Sequence, residues 1–171
     1  MANGIIAADI LEQVAPEKFV GDVYRVMIDG YPPERENTVG ARWNPKGTAA
    51  IYTSGAADLA LAEVRYNLAR QPRPVRADLQ LVVYKIHVEI DEIIDLAKVE
   101  PALEKLGLTR SRLLADDWAD SQTLGNTVVW LGRGGLQVPS ARGTSTNLVI
   151  FPNTAGRYVF EAREIDRATA R

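Results

Sequence analysis

Residues 40–68, GARWNPKGTAAIYTSGAADLALAEVRYNL, decide how this chain is read, because loop, strand, turn and helix signals follow one another there without a gap. Gly40, Pro45 and Gly47 punctuate a loop carrying Arg42, Trp43 and Asn44. The apolar run from Ala49 to Thr53, which includes Tyr52, then reads as a short strand. Thr53, Ser54 and Gly55 favour turns and helix starts, and the next fifteen positions have helical character. Ala57, Leu61, Val64 and Leu68 recur there at intervals of four, three and four, so they form one stripe facing a core. Glu63 falls nearly opposite that stripe, with Ala56, Leu59, Ala60, Tyr66, Asn67 and Arg70 at helical spacing around it. Such a setting suits a carboxylate at the wall of a pocket; it also suits a solvated glutamate on an outer face.

Working outward toward the N-terminus, residues 5–14 read as a short helix closed by Pro16. Asp22–Ile28 alternates as a strand that puts Arg25 on one face with Val23 and Met27. An arginine among apolar side chains is costly unless paired, so Arg25 is expected to meet an internal carboxylate or to line a pocket that takes an anion. Residues 29–47 are rich in Pro, Gly, Asn and charge, and predict a long irregular loop of the sort that often carries function. Within it, Arg42 offers a planar fork for phosphate or carboxylate, with a structural ion pair as the alternative, and Trp43 packs beneath it or forms a pocket wall.

Toward the C-terminus, Asp78–Glu89 alternates as a strand and 92–96 as a second, shorter one. A helical turn is expected over 101–106, a helix capped by Thr109 through Asp120, and a further helix over 121–131 stopped by Gly132. Pro139–Gly143 marks a turn between two strands. It exposes Ser140 and Arg142 where hydroxyl and backbone donors can hold a phosphate or simply make the turn. Strands over 147–151 and 158–163 precede a charged, frayed end.

The 171 residues fit one domain able to bury about two thirds of its unfolded surface. With no cysteine there is no disulfide, thiol nucleophile or thiolate metal site, in keeping with a reducing compartment. The single histidine, His87, has no serine or carboxylate at motif spacing, and no metal-ligand cluster is visible, so neither metal nor bound cofactor is expected. No signal peptide or long apolar stretch is apparent, and a cytoplasmic protein without membrane contact is expected. A net charge of −2 supplies no field for nucleic acid, and Arg65, Arg70, Arg73 and Arg76 read as a solvated surface.

YRV at 24–26, GARWNPKGTAAIYTSGAADLALAEV at 40–64 and LGRGGLQVPSARGTSTNLVIF at 131–151, in that order, resemble the RES domain family. The resemblance implies a single α/β (α+β) domain, a mixed central sheet flanked by helices, similar to ADP-ribosyltransferase toxins. It divides the chain into a helical extension over 1–21, the RES domain over 22–163 and a tail over 164–171. It also implies a toxin of a two-gene toxin–antitoxin module, with a Xre-type helix-turn-helix antitoxin blocking the site. NAD is the implied substrate, degraded by phosphorolysis to nicotinamide and ADP-ribose 1-phosphate. Mono-ADP-ribosylation of a host enzyme of nucleotide synthesis is the alternative, and a non-catalytic nucleotide- or partner-binding module the second. Carried over residue by residue, the functional positions are Arg25, Arg42, Tyr52, Glu63 and Ser140, with Arg142 assisting; some members place a tyrosine directly after the first arginine, where this chain has Val26. In that scheme Glu63 stabilises ribose charge, Arg25 and Arg42 hold pyrophosphate, Tyr52 stacks on nicotinamide and Ser140 binds a phosphate or ribose hydroxyl.

Overall fold

A computed structural model of the chain describes residues 8–140 and 145–171. Among these, the strands are β1 (Glu17–Ile28), β2 (Ile51–Ser54), β3 (Gln80–Asp95), β4 (Gly135–Pro139), β5 (Thr146–Ile150) and β6 (Val159–Thr169). The helical segments are α1 (8–12), α2 (Ala57–Ala69), α3 (Leu96–Glu104), α4 (Arg110–Leu113) and α5 (Ala119–Trp130). The expected fold class is therefore the one observed.

The sheet runs β1-β2-β5-β4-β3-β6, and β1 also pairs with β3, so five of its strands close into a ring. Two antiparallel sets, β1-β3-β6 and β2-β5-β4, meet at two joints. One joint is the parallel pairing of Ile93–Asp95 with Gly135–Gln137, and the other is the bridge Tyr24↔Ser54. Val23, Ile51, Ile86, Val88, Leu148 and Ile150 fill a common core between the sets. On the outer side of β1 and β3, Ala60 packs with Val26, Leu81 and Val83, joined by Ala57, Leu61, Val64 and Leu68. The stripe read from residue spacing is thus the face that docks α2. The largest core lies on the far face of β4 and β5, where Leu96, Leu103, Leu113, Leu124 and Val128 cover Leu136 and Val149.

Several boundaries differ from the sequence reading. Strand β1 begins at Glu17, before the Asp22 start of the alternation, and its helical neighbour is described over 8–12. Strand β3 is one strand of 16 residues where two were expected. Asp91 and Glu92 interrupt its apolar pattern, and Glu92, with φ 61°, kinks the backbone where the partner on that edge changes from β6 to β4. The helix expected from Thr109 to Asp120 stops at Leu113, and Asp117 accepts a hydrogen bond from the Ala119 backbone N–H to start α5. The end expected to be frayed is paired: Thr169 lies opposite Gln80, and Arg65 donates twice to the Thr169 carbonyl at 3.0 and 3.1 Å. Its charges belong to an edge strand, open to water, rather than to a loose tail.

Candidate functional site

Glu63 lies on the flank of α2 rather than opposite its stripe, one turn beyond Ala60, which is the buried position of the helix. Its Oε1 accepts from Asn147 Nδ2 at 3.4 Å and from Ser140 Oγ at 3.5 Å. These long bonds draw together three elements distant in sequence: α2, the end of β4 and the start of β5. Gly55 permits the approach, since a Cβ there would lie 2.5 Å from the Thr146 carbonyl oxygen, closer than real contacts allow. The strand register then sets the neighbours. Ser54 lies opposite Asn147 and Tyr52 opposite Val149, so Tyr52, Ser54 and Asn147 share one face of the β2-β5 pair. Ser140 is buried and its backbone N–H is tied to the Ser145 carbonyl at 2.9 Å. Arg142 falls outside the described residues.

Polar accounting singles this corner out. Among the described residues, the buried side-chain polar atoms without a hydrogen-bond partner are Ser54 Oγ, Ser145 Oγ, Asn147 Oδ1 and Arg133 Nε. The first three belong to this one corner, where each forgoes about 1–3 kcal/mol of solvation.

The other expected residues have partners of their own. Tyr52 is fixed through its hydroxyl, which donates to Asn44 Oδ1 at 2.7 Å and accepts from the Trp43 backbone N–H at 2.9 Å. Burial pushes its pKa far up, against those bonds and the Arg42 charge, so the phenol stays protonated. Asn44, fully buried, also donates to the carbonyls of Asn37 and Thr48 and is the hub of the 37–48 loop. Trp43 belongs to the core and lies under α5; Gly125 makes room, since a Cβ there would stand 1.8 Å from the Trp43 carbonyl oxygen.

Arg42 donates to the carbonyls of Leu113 at 3.1 Å and Ala115 at 2.6 Å, pinning the 37–48 loop to the end of α4. Arg25 donates to the carbonyl of Arg35 at 2.7 Å and, more closely, to that of Pro33. Neither the internal carboxylate nor the open pocket expected of Arg25 is its first partner; backbone oxygens of the 33–35 loop are. Burial lowers its pKa to about 10, with the Glu34 charge pulling the other way. His87 stands elsewhere, on the outer face of β3 between Asp22 at 3.2 Å and Glu89 at 3.6 Å.

Sequence reasoning therefore found Glu63 and Ser140, which the fold joins, and passed over Asn44, Asn147 and Ser54. Only strand register shows that Ser54 and Asn147 face one another.

A ring of strands with a helix-borne carboxylate held by a serine and an asparagine defines the class: residues 22–168 match the RES domain family model, and the chain belongs to that family. Among solved structures, the chain is similar to one described as the crystal structure of the M. tuberculosis MbcT–MbcA toxin–antitoxin complex. The TM-score is 0.75 at 19% identity, over 93% of this chain and 91% of that one, which establishes a shared fold. No curated protein matches the sequence.

Proposed function

We propose that this chain is the toxin of a toxin–antitoxin module and cleaves the nicotinamide glycosidic bond of NAD, passing ADP-ribose to inorganic phosphate. The observation that carries the reading is Glu63: a partly buried carboxylate met by Ser140 and Asn147 in a corner of unsatisfied polar groups, and the residue to which the sequence resemblance assigns the family's glutamate.

The chemistry asks for such a group. As the ribose C1′–N bond breaks, its electron pair passes to the pyridinium ring, and nicotinamide leaves neutral without a general acid. Positive charge develops on the ribose, and the Glu63 carboxylate opposes it. A phosphate oxygen then forms the new C1′–O bond, giving ADP-ribose 1-phosphate. Arg25, desolvated and held by carbonyls only, gains most from a pyrophosphate oxygen, and Arg42 reaches the same ligand from the 37–48 loop. Tyr52, its hydroxyl committed to Asn44 and Trp43, offers its ring rather than its proton.

The partner is an antitoxin of the Xre helix-turn-helix kind that blocks the site; support comes from the similarity to a chain solved as a toxin–antitoxin complex. Among the described residues no helix is long and apolar enough to cross a membrane, and we place the reaction in the cytoplasm.

The deciding experiment incubates purified protein with NAD, with and without inorganic phosphate, and identifies the products by mass. Phosphate-dependent ADP-ribose 1-phosphate is the expected result. NAD left intact in both arms overturns the reading. ADP-ribose on a protein of a cell extract replaces phosphate by a side chain as acceptor.

A further inference from the structure

Two of the unpartnered buried atoms are chemical complements. Ser54 Oγ carries an O–H donor, Asn147 Oδ1 is an acceptor, and the two residues lie directly opposite one another on the same face of β2 and β5. Directly opposed side chains on an antiparallel pair have Cβ atoms about 4.5–5.5 Å apart, so a small rotamer change closes the gap. The other end of the same amide already donates to Glu63 Oε1, at a long 3.4 Å. Closing the first bond polarises the amide and strengthens the second, since hydrogen bonds in a chain reinforce one another.

We propose that Ser54 and Asn147 are positioning residues that form a relay behind Glu63. Ser54 Oγ donates to Asn147 Oδ1, Asn147 Nδ2 donates to Glu63 Oε1, and the relay locks the carboxylate toward the ribose when substrate is bound. The inference rests on the NAD-cleaving reading and deepens it by naming what orients the glutamate. Ser140 holds the same oxygen from β4, so Glu63 is fixed from two strands. The seam matters as well: Ser54 is the residue through which β2 pairs with Tyr24 of β1, so an adjustment at Ser54 sits at the joint of the two strand sets.

The test is NAD turnover by wild type, Asn147→Ala, Asn147→Asp, Ser54→Val, Ser54→Thr and the double variant Asn147→Ala with Ser54→Val. A misdirected catalytic group costs about 100-fold, so kcat for Asn147→Ala is expected to fall by that order with KM nearly unchanged. Ser54→Val is expected to lose about tenfold in kcat, while Ser54→Thr, of the same shape but with the hydroxyl, keeps wild-type turnover. The double variant matches Asn147→Ala alone, because a relay broken once cannot be broken again. Asn147→Asp keeps the shape but removes the N–H donor to Glu63, so its kcat is expected to fall at least as far as that of Asn147→Ala. Wild-type kcat in Asn147→Ala, or equal activity of Ser54→Val and Ser54→Thr, overturns the relay and leaves the proposed function standing. Should Asn147→Ala fail to fold, the Ser54 pair still decides. A wild-type chain that leaves NAD intact overturns the function, and the relay with it.

Discussion

Two polar regions of this molecule use similar residue types in opposite ways. On the outer face of β1 and β3, Asp22 bonds Lys85 at 2.7 Å and His87 at 3.2 Å, and Glu89 meets Lys18 at 3.3 Å. All are partly open to water and each charge has its partner. At the β2–β5 corner, Ser54 and Asn147 hold buried atoms with no partner among the described residues, and Asn147 and Ser140 meet the Glu63 carboxylate by long bonds. The outer face also forms a concavity, lined by Asp22, Lys85, His87, Glu161 and Arg163, yet its charges are already satisfied by one another and by solvent. Shape alone therefore misleads here. On the function proposed above, unsatisfied polarity under cover marks the site prepared for a ligand, and paired charge a surface at rest.

The comparison breaks most visibly at Glu63. Glu63→Gln keeps the size of the side chain and one acceptor oxygen and removes the charge, so NAD turnover is expected to fall by about 1,000-fold. The thermal midpoint should stay within a few degrees, since no buried ion pair is lost; a variant still active on NAD would put Glu63 with the resting surface.

Next in size is Gly55→Ala. The added methyl meets the Thr146 carbonyl oxygen at 2.5 Å, a backbone atom that cannot swing aside. Overpacking of this kind costs about 1–3 kcal/mol, measurable by urea unfolding. Activity should drop beyond what the unfolded fraction explains, because the start of β5 carries Asn147.

Arg25→Lys sharpens the contrast. Lysine keeps the positive charge but loses the fork that spans the carbonyls of Pro33 and Arg35. KM for NAD is expected to rise about tenfold with kcat little changed, as expected of ground-state binding to the pyrophosphate. An unchanged KM would make Arg25 a loop anchor and nothing more.

The smallest effect belongs to His87→Ala. Its pKa is raised above the usual 6.5, first by the hydrogen bond its ring donates to Asp22 and then by Glu89. A raised value means that its pairing stabilises the fold below pH 6.5 and that the contribution is lost as pH climbs through the higher folded value. The wild-type thermal midpoint should therefore fall slightly more than that of His87→Ala between pH 5.5 and 8.5, while NAD turnover of the two stays equal. A loss of turnover would join the outer face to the chemistry.

Residue spacing foretold the parts of the fold that local physics dictates. The α2 stripe, the alternation of β1 and the irregular 29–47 stretch are properties of neighbours in sequence, and all three are present. The β3 kink was not legible, because a positive φ at a glutamate is imposed by pairing with two different strands. Glu63 could be named only through family resemblance, and its burial depends on β4 and β5 reaching α2. The contacts that Arg25 and Arg42 make with backbone carbonyls were not legible for another reason: every residue carries such a group and no sequence advertises it. Asn147 and Ser54 stayed hidden because register across β2 and β5 is a tertiary fact.

The contacts of Glu63 span 77 and 84 residues of chain. During synthesis the glutamate precedes both partners by several seconds at about 5–20 residues per second. A nascent or truncated chain that ends before β4 thus carries the carboxylate without the residues that aim it. On the toxin reading proposed above, order of assembly is a form of protection: the chain is armed only when most of it has been built.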